Sequence, residues 1–298
     1  MRTRTFTYAA AAAFGAALAL PAAPAAAQRY RVYQWDTPMQ GWAEPALWDS
    51  WVAKSNLDYS HFGKTVSEQG VTAHSAELEY GMTDRFTLAG YTDFESAPGL
   101  PLRYTAARLE GRYRFGSRYQ RFFDPALYLE YSIPRAKYDA SQELEARLIL
   151  QRDFNDFRLV LNPIVGRTFS NQSSSSSGGS SGGSSSGSGE HGGGSEMVGT
   201  ENAGSRFSGG FAGGFYWRRY HLVQPGVEYY NQVGPLGQLL AVRDQRHGIV
   251  PSVDLRFIPG LDWNLGLVVG LTPGSDKYTV KSVLSYEFQT IRPANKAP

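Results

Sequence analysis

The feature that most constrains this chain is strict alternation of apolar and charged side chains over segments of strand length. From Glu143 to Leu150, Leu144, Ala146, Leu148 and Leu150 take one set of alternate positions. Glu143, Glu145, Arg147 and Ile149 take the other. Successive side chains of a β-strand point to opposite faces, so one face of this segment is apolar and the other charged; a helix would scatter both classes around its axis. The split recurs. Ala76, Leu78 and Tyr80 oppose Ser75, Glu77 and Glu79. Ala107, Leu109 and Tyr113 oppose Arg108, Glu110 and Arg112. Leu127, Leu129 and Tyr131 oppose Tyr128, Glu130 and Ser132. Val253, Leu255 and Phe257 oppose Asp254 and Arg256. Val280, Leu284, Tyr286 and Phe288 oppose Lys281, Val283, Ser285 and Glu287.

Applied along the chain, the alternation predicts twelve strands: 48–60, 71–81, 86–95, 103–115, 125–134, 142–154, 157–168, 205–219, 221–231, 247–258, 261–272 and 277–288. The connections alternate in length. Met82–Arg85, Asn155–Asp156, the corner at Tyr220 and Pro259–Gly260 are short; the longer Gly116–Asp124 breaks the parity. His61–Gly70, Ser96–Leu102, Arg135–Ser141, Ser170–Gly204 and Gln232–Arg246 are long.

Residues 1–27 read as a signal peptide: Arg2 and Arg4, a small-apolar run from Ala9 to Leu20, then Ala25-Ala26-Ala27 before Gln28. The run is too short to cross a bilayer as a helix. Export matters for the charge balance. The chain has 29 Lys+Arg and 27 Asp+Glu, and loss of Arg2 and Arg4 leaves the two signs equal. A near-neutral chain without a clustered basic face argues against nucleic acid as a partner. There is no cysteine, so stability comes from something other than disulfides.

An exported chain of alternating strands is a soluble sandwich or a membrane barrel. Three features favour an all-β, transmembrane antiparallel up-and-down β-barrel of about twelve strands. They are the export signal, strands near the roughly 9–11 residues of a tilted crossing, and aromatics at strand ends such as Tyr80, Phe86, Phe94, Tyr104, Tyr113, Phe154, Phe157, Tyr229, Trp263 and Tyr278. In such a barrel the apolar face meets lipid and the charged face lines the lumen. The expected organisation is a signal peptide (1–27), a periplasmic N-terminal tail (28–47), a barrel (48–288) and a C-terminal tail (289–298). Trp35, Pro38, Trp42 and Pro45 mark the N-terminal tail as irregular, with a short plug or an extra strand as alternatives. Within 170–204, residues 173–195 are almost all Ser and Gly, a flexible coil on the outer side. Read instead as an interdomain linker, it would leave two half-sheets with long open edges.

Four stretches carry a resemblance. They are Glu77-Leu78-Glu79-Tyr80-Gly81-Met82-Thr83-Asp84-Arg85, Arg108-Leu109-Glu110-Gly111-Arg112-Tyr113-Arg114-Phe115, Asp124-Pro125-Ala126-Leu127-Tyr128-Leu129-Glu130-Tyr131, and Gly270-Leu271-Thr272-Pro273-Gly274-Ser275. Together they resemble uncharacterised proteobacterial outer-membrane barrels, in particular the transporter-like group named for the meta pathway of phenol degradation. The resemblance spans about 48–288 and implies an outer-membrane barrel with a transport role and unnamed cargo. The last strand, Tyr278–Phe288, resembles the terminal strand that barrel-insertion machinery reads, although Gln289–Pro298 follow it. The expected partners are outer-membrane lipid, that machinery and a small-molecule cargo, and the expected location is the cell outer membrane.

The candidate site is the inward charge ladder Glu77, Glu79, Arg108, Glu110, Arg112, Glu130, Glu143, Glu145, Arg147, Asp254, Arg256 and Lys281, with Lys54, Asp58, Asp93, Arg158, Glu228 and Glu287 on the same face. Arg108 and Arg112 against Glu77, Glu79 and Glu130 form the expected core of it. Two roles are open: the charges neutralise one another and fill the barrel, or they line a narrow polar pore. Catalysis is not expected. His74-Ser75-Ala76-Glu77 is the nearest approach to a hydrolase cluster, but His74 and Ser75 face opposite ways on a strand, and no Gly-x-Ser-x-Gly elbow occurs. Paired-His spacing for a metal and a phosphate-cradling glycine loop followed by a helix are both missing, so no cofactor is expected.

Overall fold

The computed structural model describes residues 30–61, 64–135, 142–169 and 207–290. The expected signal peptide, the Ser/Gly stretch and the end of the C-terminal tail lie outside them. The described residues form fifteen strands: β1 (Trp42–Lys54), β2 (Asp58–His61), β3 (Lys64–Ser67), β4 (Thr72–Gly81), β5 (Phe86–Ser96), β6 (Arg103–Arg114), β7 (Asp124–Pro134), β8 (Gln142–Phe154), β9 (Phe157–Phe169), β10 (Phe207–Trp217), β11 (Val223–Pro235), β12 (Arg246–Leu255), β13 (Leu261–Gly270), β14 (Tyr278–Tyr286) and β15 (Phe288–Gln289).

Strand β1 and strands β4 to β14 form one antiparallel sheet in sequence order. Because β1 pairs with both β4 and β14, the sheet closes into a twelve-stranded barrel. Closure removes both free sheet edges. The alternation sets the polarity. Leu109, Tyr113, Leu129, Leu144, Leu148, Phe215, Val227, Trp263 and Leu284 are exposed on the outside, while Glu77, Arg108, Glu110, Arg112, Arg147 and Lys281 are buried within. Apolar outside and charged inside is the inverse of a soluble sandwich and the arrangement of a membrane barrel.

The first expected strand, 48–60, is displaced. Strand β1 starts at Trp42 and ends at Lys54, and the chain then makes the separate hairpin β2–β3. Proline at 45 conceals this start, because a proline cannot donate to a ladder and is rare inside sheets. The barrel accommodates it where its neighbour is interrupted. Ala46 pairs with Ser285 of β14 and Ala43 with Phe288 of β15, so Pro45 sits at the break between those two strands. Strand β15 and Thr290, which bonds to Gly41, tie down the start of the segment expected as a free C-terminal tail.

The hairpin leaves Asp58 exposed outside the lumen and Lys54 exposed at a strand end, which corrects the inward placement of both. Val52, Val71 and Ala97, with Val66 and Leu100, hold the hairpin against the long-loop end of the barrel. Gly81 marks the other end. A Cβ there would lie 2.0 Å from the Met39 carbonyl oxygen, so only glycine lets the chain cross this wall before it enters β1.

Candidate functional site

The lumen is occupied. Residues 30–38, expected as the middle of a periplasmic tail, run inside the barrel from the long-loop half toward the short-turn end and then turn into β1. Of the readings open for 28–47, the plug describes 30–38 and the extra strand describes 42–47.

What docks this segment is peptide-like hydrogen bonding. Two buried amides on adjacent strands, Asn162 on β9 and Gln151 on β8, accept from the backbone N–H groups of Tyr33 (2.8 Å) and Trp35 (2.9 Å). The Asn162 amide also donates to the Tyr33 carbonyl at 3.1 Å. The inner wall thus treats the segment much as a neighbouring strand would, and satisfies buried backbone groups that would otherwise be costly. Trp35 donates its indole N–H to the Pro125 carbonyl. At the far end Lys281 donates to the Tyr30 carbonyl.

The charge ladder is organised around the same segment. Glu77 was expected to face Arg108 or Arg112. Instead it binds Arg31 of the plug at 3.2 Å and accepts from the Trp48 indole and the Tyr91 hydroxyl, each at 2.6 Å. The Arg31 guanidinium lies 3.7 Å from the Trp48 ring centroid and 3.9 Å from that of Tyr33. Arg108 binds Asp93 (2.7 Å), Glu130 (2.8 Å) and Ser75 (2.9 Å). Arg112 binds Glu110 (2.7 Å) and, at 3.5 Å, Glu79. Three carboxylates stand in one cross-strand row, since Glu110 faces Glu130 and Glu130 faces Glu145. Cations beside the row offset this repulsion: Arg112 at Glu110, Arg108 at Glu130 and Arg147 at Glu145. Tyr128 donates to Glu130 at 2.6 Å, and its hydroxyl oxygen accepts from the Tyr33 hydroxyl at 2.9 Å.

The remaining ladder residues are spread out. Glu143 is half-buried near the long-loop end of β8. Lys281 pairs with Glu228, which also accepts from Tyr230 and Tyr216. Asp254 accepts from Asn264 at 2.6 Å. Arg256 lies past the end of β12 and pairs with Asp262 at the rim, 2.5 Å away, so it is not a member of the central ladder. The short-turn rim holds another cluster: Asp36 of the plug binds Arg118 (2.9 Å) and Arg158 (2.8 Å), and Asp153 binds Arg118, Arg158 and Arg218. At this rim, burial and then Asp36 push the Glu287 carboxyl above the ordinary glutamate range. Burial and then Arg158 hold the Arg218 guanidinium below its usual range.

Space remains beside the plug. A cavity of about 590 Å³ is lined by plug residues Arg31 to Gln34, Asp36 and Thr37 and, from the wall, by Trp48, Glu79, Arg112, Arg158, Glu228, Asp254 and Lys281; it reaches the rim at Pro259 and Glu287. The hydrolase cluster is split as its alternation implies. Ser75 points inward to Asp93 and Arg108, and His74 points outward to Asp49. No group of three or more His, Cys, Asp or Glu side chains that could hold a metal ion occurs among the described residues.

The sequence reading missed Arg31, Tyr33, Trp35, Gln151 and Asn162. A usable signal was present. Ile149 and Val160 interrupt the charged inward face beside Gln151 and Asn162, and Tyr30, Tyr33 and Trp35 crowd a segment read as irregular.

Barrel closure, reversed polarity and a polar lumen define the class: a closed twelve-strand antiparallel β-barrel with the polarity of a membrane-spanning one. One solved structure shares the fold, and two further matches have lower scores. An outer-membrane channel from Pseudomonas putida F1 matches with a TM-score of 0.55 and 11% identity, over 85% of this chain and 97% of that one. The KdgM porin matches with a TM-score of 0.46 and 7% identity, over 83% and 99%. The outer-membrane protein Omp33 of Acinetobacter baumannii matches with a TM-score of 0.40 and 7% identity, over 85% and 100%. No protein-family model matches the chain, and no curated protein matches it.

Proposed function

We propose that the chain is a passive outer-membrane channel whose narrow polar pathway runs beside residues 30–38. The observation that carries this reading is the 590 Å³ cavity between the plug and the wall, lined by charged and hydroxyl side chains and continuous with the short-turn rim. A barrel meant only as a scaffold has no need of such volume. Short turns face the periplasm in barrels of this type, so the plug enters from that side. Residues 1–27 direct export, the strand Tyr278–Phe288 is read by the insertion machinery, and no step at this site is catalytic. The fold match to a channel and the resemblance to the phenol meta-pathway group support transport without naming the cargo.

Single-channel recording in planar bilayers tests this. The intact protein gives small discrete steps, and a variant lacking 30–38 gives steps several-fold larger. Silence from both forms, with a heat-modifiable band showing folded barrels, would instead support a closed barrel that displays its outer loops. That alternative has one observation in its favour, the near-complete burial of Tyr33.

A further inference from the structure

The outer wall carries one feature that a channel does not need. Along β1, Leu47, Asp49 and Trp51 alternate with the inward Trp48 and Val52, so Asp49 faces outward. Among the described residues of the twelve barrel strands, Asp49 is the one outward-facing carboxylate. Its depth follows from register. On β14 the outward positions run Tyr278, Val280, Ser282, Leu284, Tyr286; Ser282 is thus midway between two interface aromatics, and Asp49 lies directly opposite it. On its other side Asp49 faces His74 of β4, and Asp49 Oδ1 and His74 Nδ1 are 2.6 Å apart. The two side chains are 50% and 41% exposed. Ionisable groups facing hydrocarbon are costly and normally meet a polar partner.

We propose that this patch is the contact between two copies of the chain, related by a two-fold axis through the β1–β4 wall. The inference rests on the membrane placement proposed above. His74 Nδ1 and Asp49 Oδ1 are committed to each other, which leaves His74 Nε2, a ring nitrogen that can donate, beside Asp49 Oδ2, which can accept. Neither atom has a partner among the described residues. A donor and an acceptor side by side are self-complementary, as a two-fold contact demands: each His74 Nε2 donates to the other copy's Asp49 Oδ2. Leu47 and Trp51, both about half exposed, flank the polar centre on β1 and supply an apolar surround. A lipid headgroup fits poorly, because headgroups do not reach mid-depth, whereas another barrel wall does.

The chain has no cysteine, so single cysteines report proximity cleanly. In liposomes, Leu47→Cys forms an oxidised dimer, and Leu148→Cys, outward on the distant β8, does not. Adding Asp49→Ala or His74→Ala to Leu47→Cys lowers the cross-linked fraction about tenfold at matched protein density. The exchange Asp49→His with His74→Asp keeps one donor and one acceptor and restores it. Equal yields at the two cysteines, no yield at Leu47→Cys in a heat-modifiable barrel, or no response to Asp49→Ala would each overturn the dimer. Conductance of the same samples reports separately on the channel reading.

Discussion

The two halves of the barrel wall differ, and the plug leans on one of them. From β4 to β9 the inward face carries most of the long hydrogen-bonding side chains, among them Glu77, Tyr91, Arg108, Glu110, Arg112, Tyr128, Arg147, Gln151, Arg158 and Asn162, interspersed with Ala89, Ala126, Ile149 and Val160. Most plug contacts fall here. From β10 to β14 the inward set contains Ala212, Val250, Ser252, Val268, Thr279 and Ser285, with Glu228, Asp254 and Lys281 as its charges. Only Tyr30 and Val32 of the plug pack against its apolar cluster, and the cavity opens beside it. Long charged side chains spend their reach on one another and on the plug; short ones leave volume. A pathway past the plug is therefore bounded mainly by the second wall, with Glu79, Arg112 and Arg158 on its other side, and rigidity belongs to the first.

The largest expected effect tests that division. Arg108 is the one cation bonded to both Asp93 and Glu130, and its side chain is 1% exposed. Arg108→Ala leaves two carboxylates buried and should destabilise by ~3–5 kcal/mol. Lys281→Met on the other wall leaves one carboxylate, Glu228, which keeps its tyrosine donors Tyr216 and Tyr230, so about 1–3 kcal/mol is expected. Urea midpoints for unfolding from micelles give both values. Equal losses would show that the walls do not differ in the way described.

Smaller, and specific to the plug, is the effect of its two amide clamps. Gln151→Ala and Asn162→Ala each strip a buried backbone N–H of its acceptor, at about 1–3 kcal/mol. Here the cost falls on docking of residues 30–38, because the barrel ladder is untouched. Protease sensitivity of the N-terminal segment should rise while the heat-modifiable band persists. If the segment stays protected in the double variant, the ion pairs of Arg31 and Asp36 hold it, and the amides do not.

These cases show what the sequence makes visible. Alternation reveals a strand and the sense of its faces because both follow from a local period; eleven of the twelve barrel strands lie within a few residues of expectation for that reason. Strand β1 was misplaced because its signal is interrupted by Pro45, and what rescues Pro45 is a break in β14–β15 more than 200 residues away. The ladder's membership was legible, but its pairing was not. Glu77 is claimed by Arg31, and nothing local to either residue shows that the N-terminal segment returns into the lumen. Gln151 and Asn162 look like ordinary polar positions until a backbone is laid across them.

The smallest expected effect lies where the plug leaves the barrel. Burial, and then the charge of Asp36, raise the Glu287 carboxyl above its ordinary value. Asp36 itself is committed to Arg118 and Arg158, so Glu287 is the group that yields. A carboxyl whose value is raised on folding binds protons more readily in the folded state. Its contribution to stability is therefore full below the unfolded glutamate value and is lost as pH climbs through the raised one. The group is about half buried, so screening keeps the change below ~1 kcal/mol. The midpoint of heat modification should drift downward across that mildly acidic window in the parent protein and stay level in Glu287→Gln. Because the rim touches plug and second wall together, the slope also measures how firmly the two are joined there. Superimposable profiles for parent and variant would mean that Glu287 has no hold on the plug, and that the second wall meets it only through the packing of Tyr30, Val32 and Tyr216.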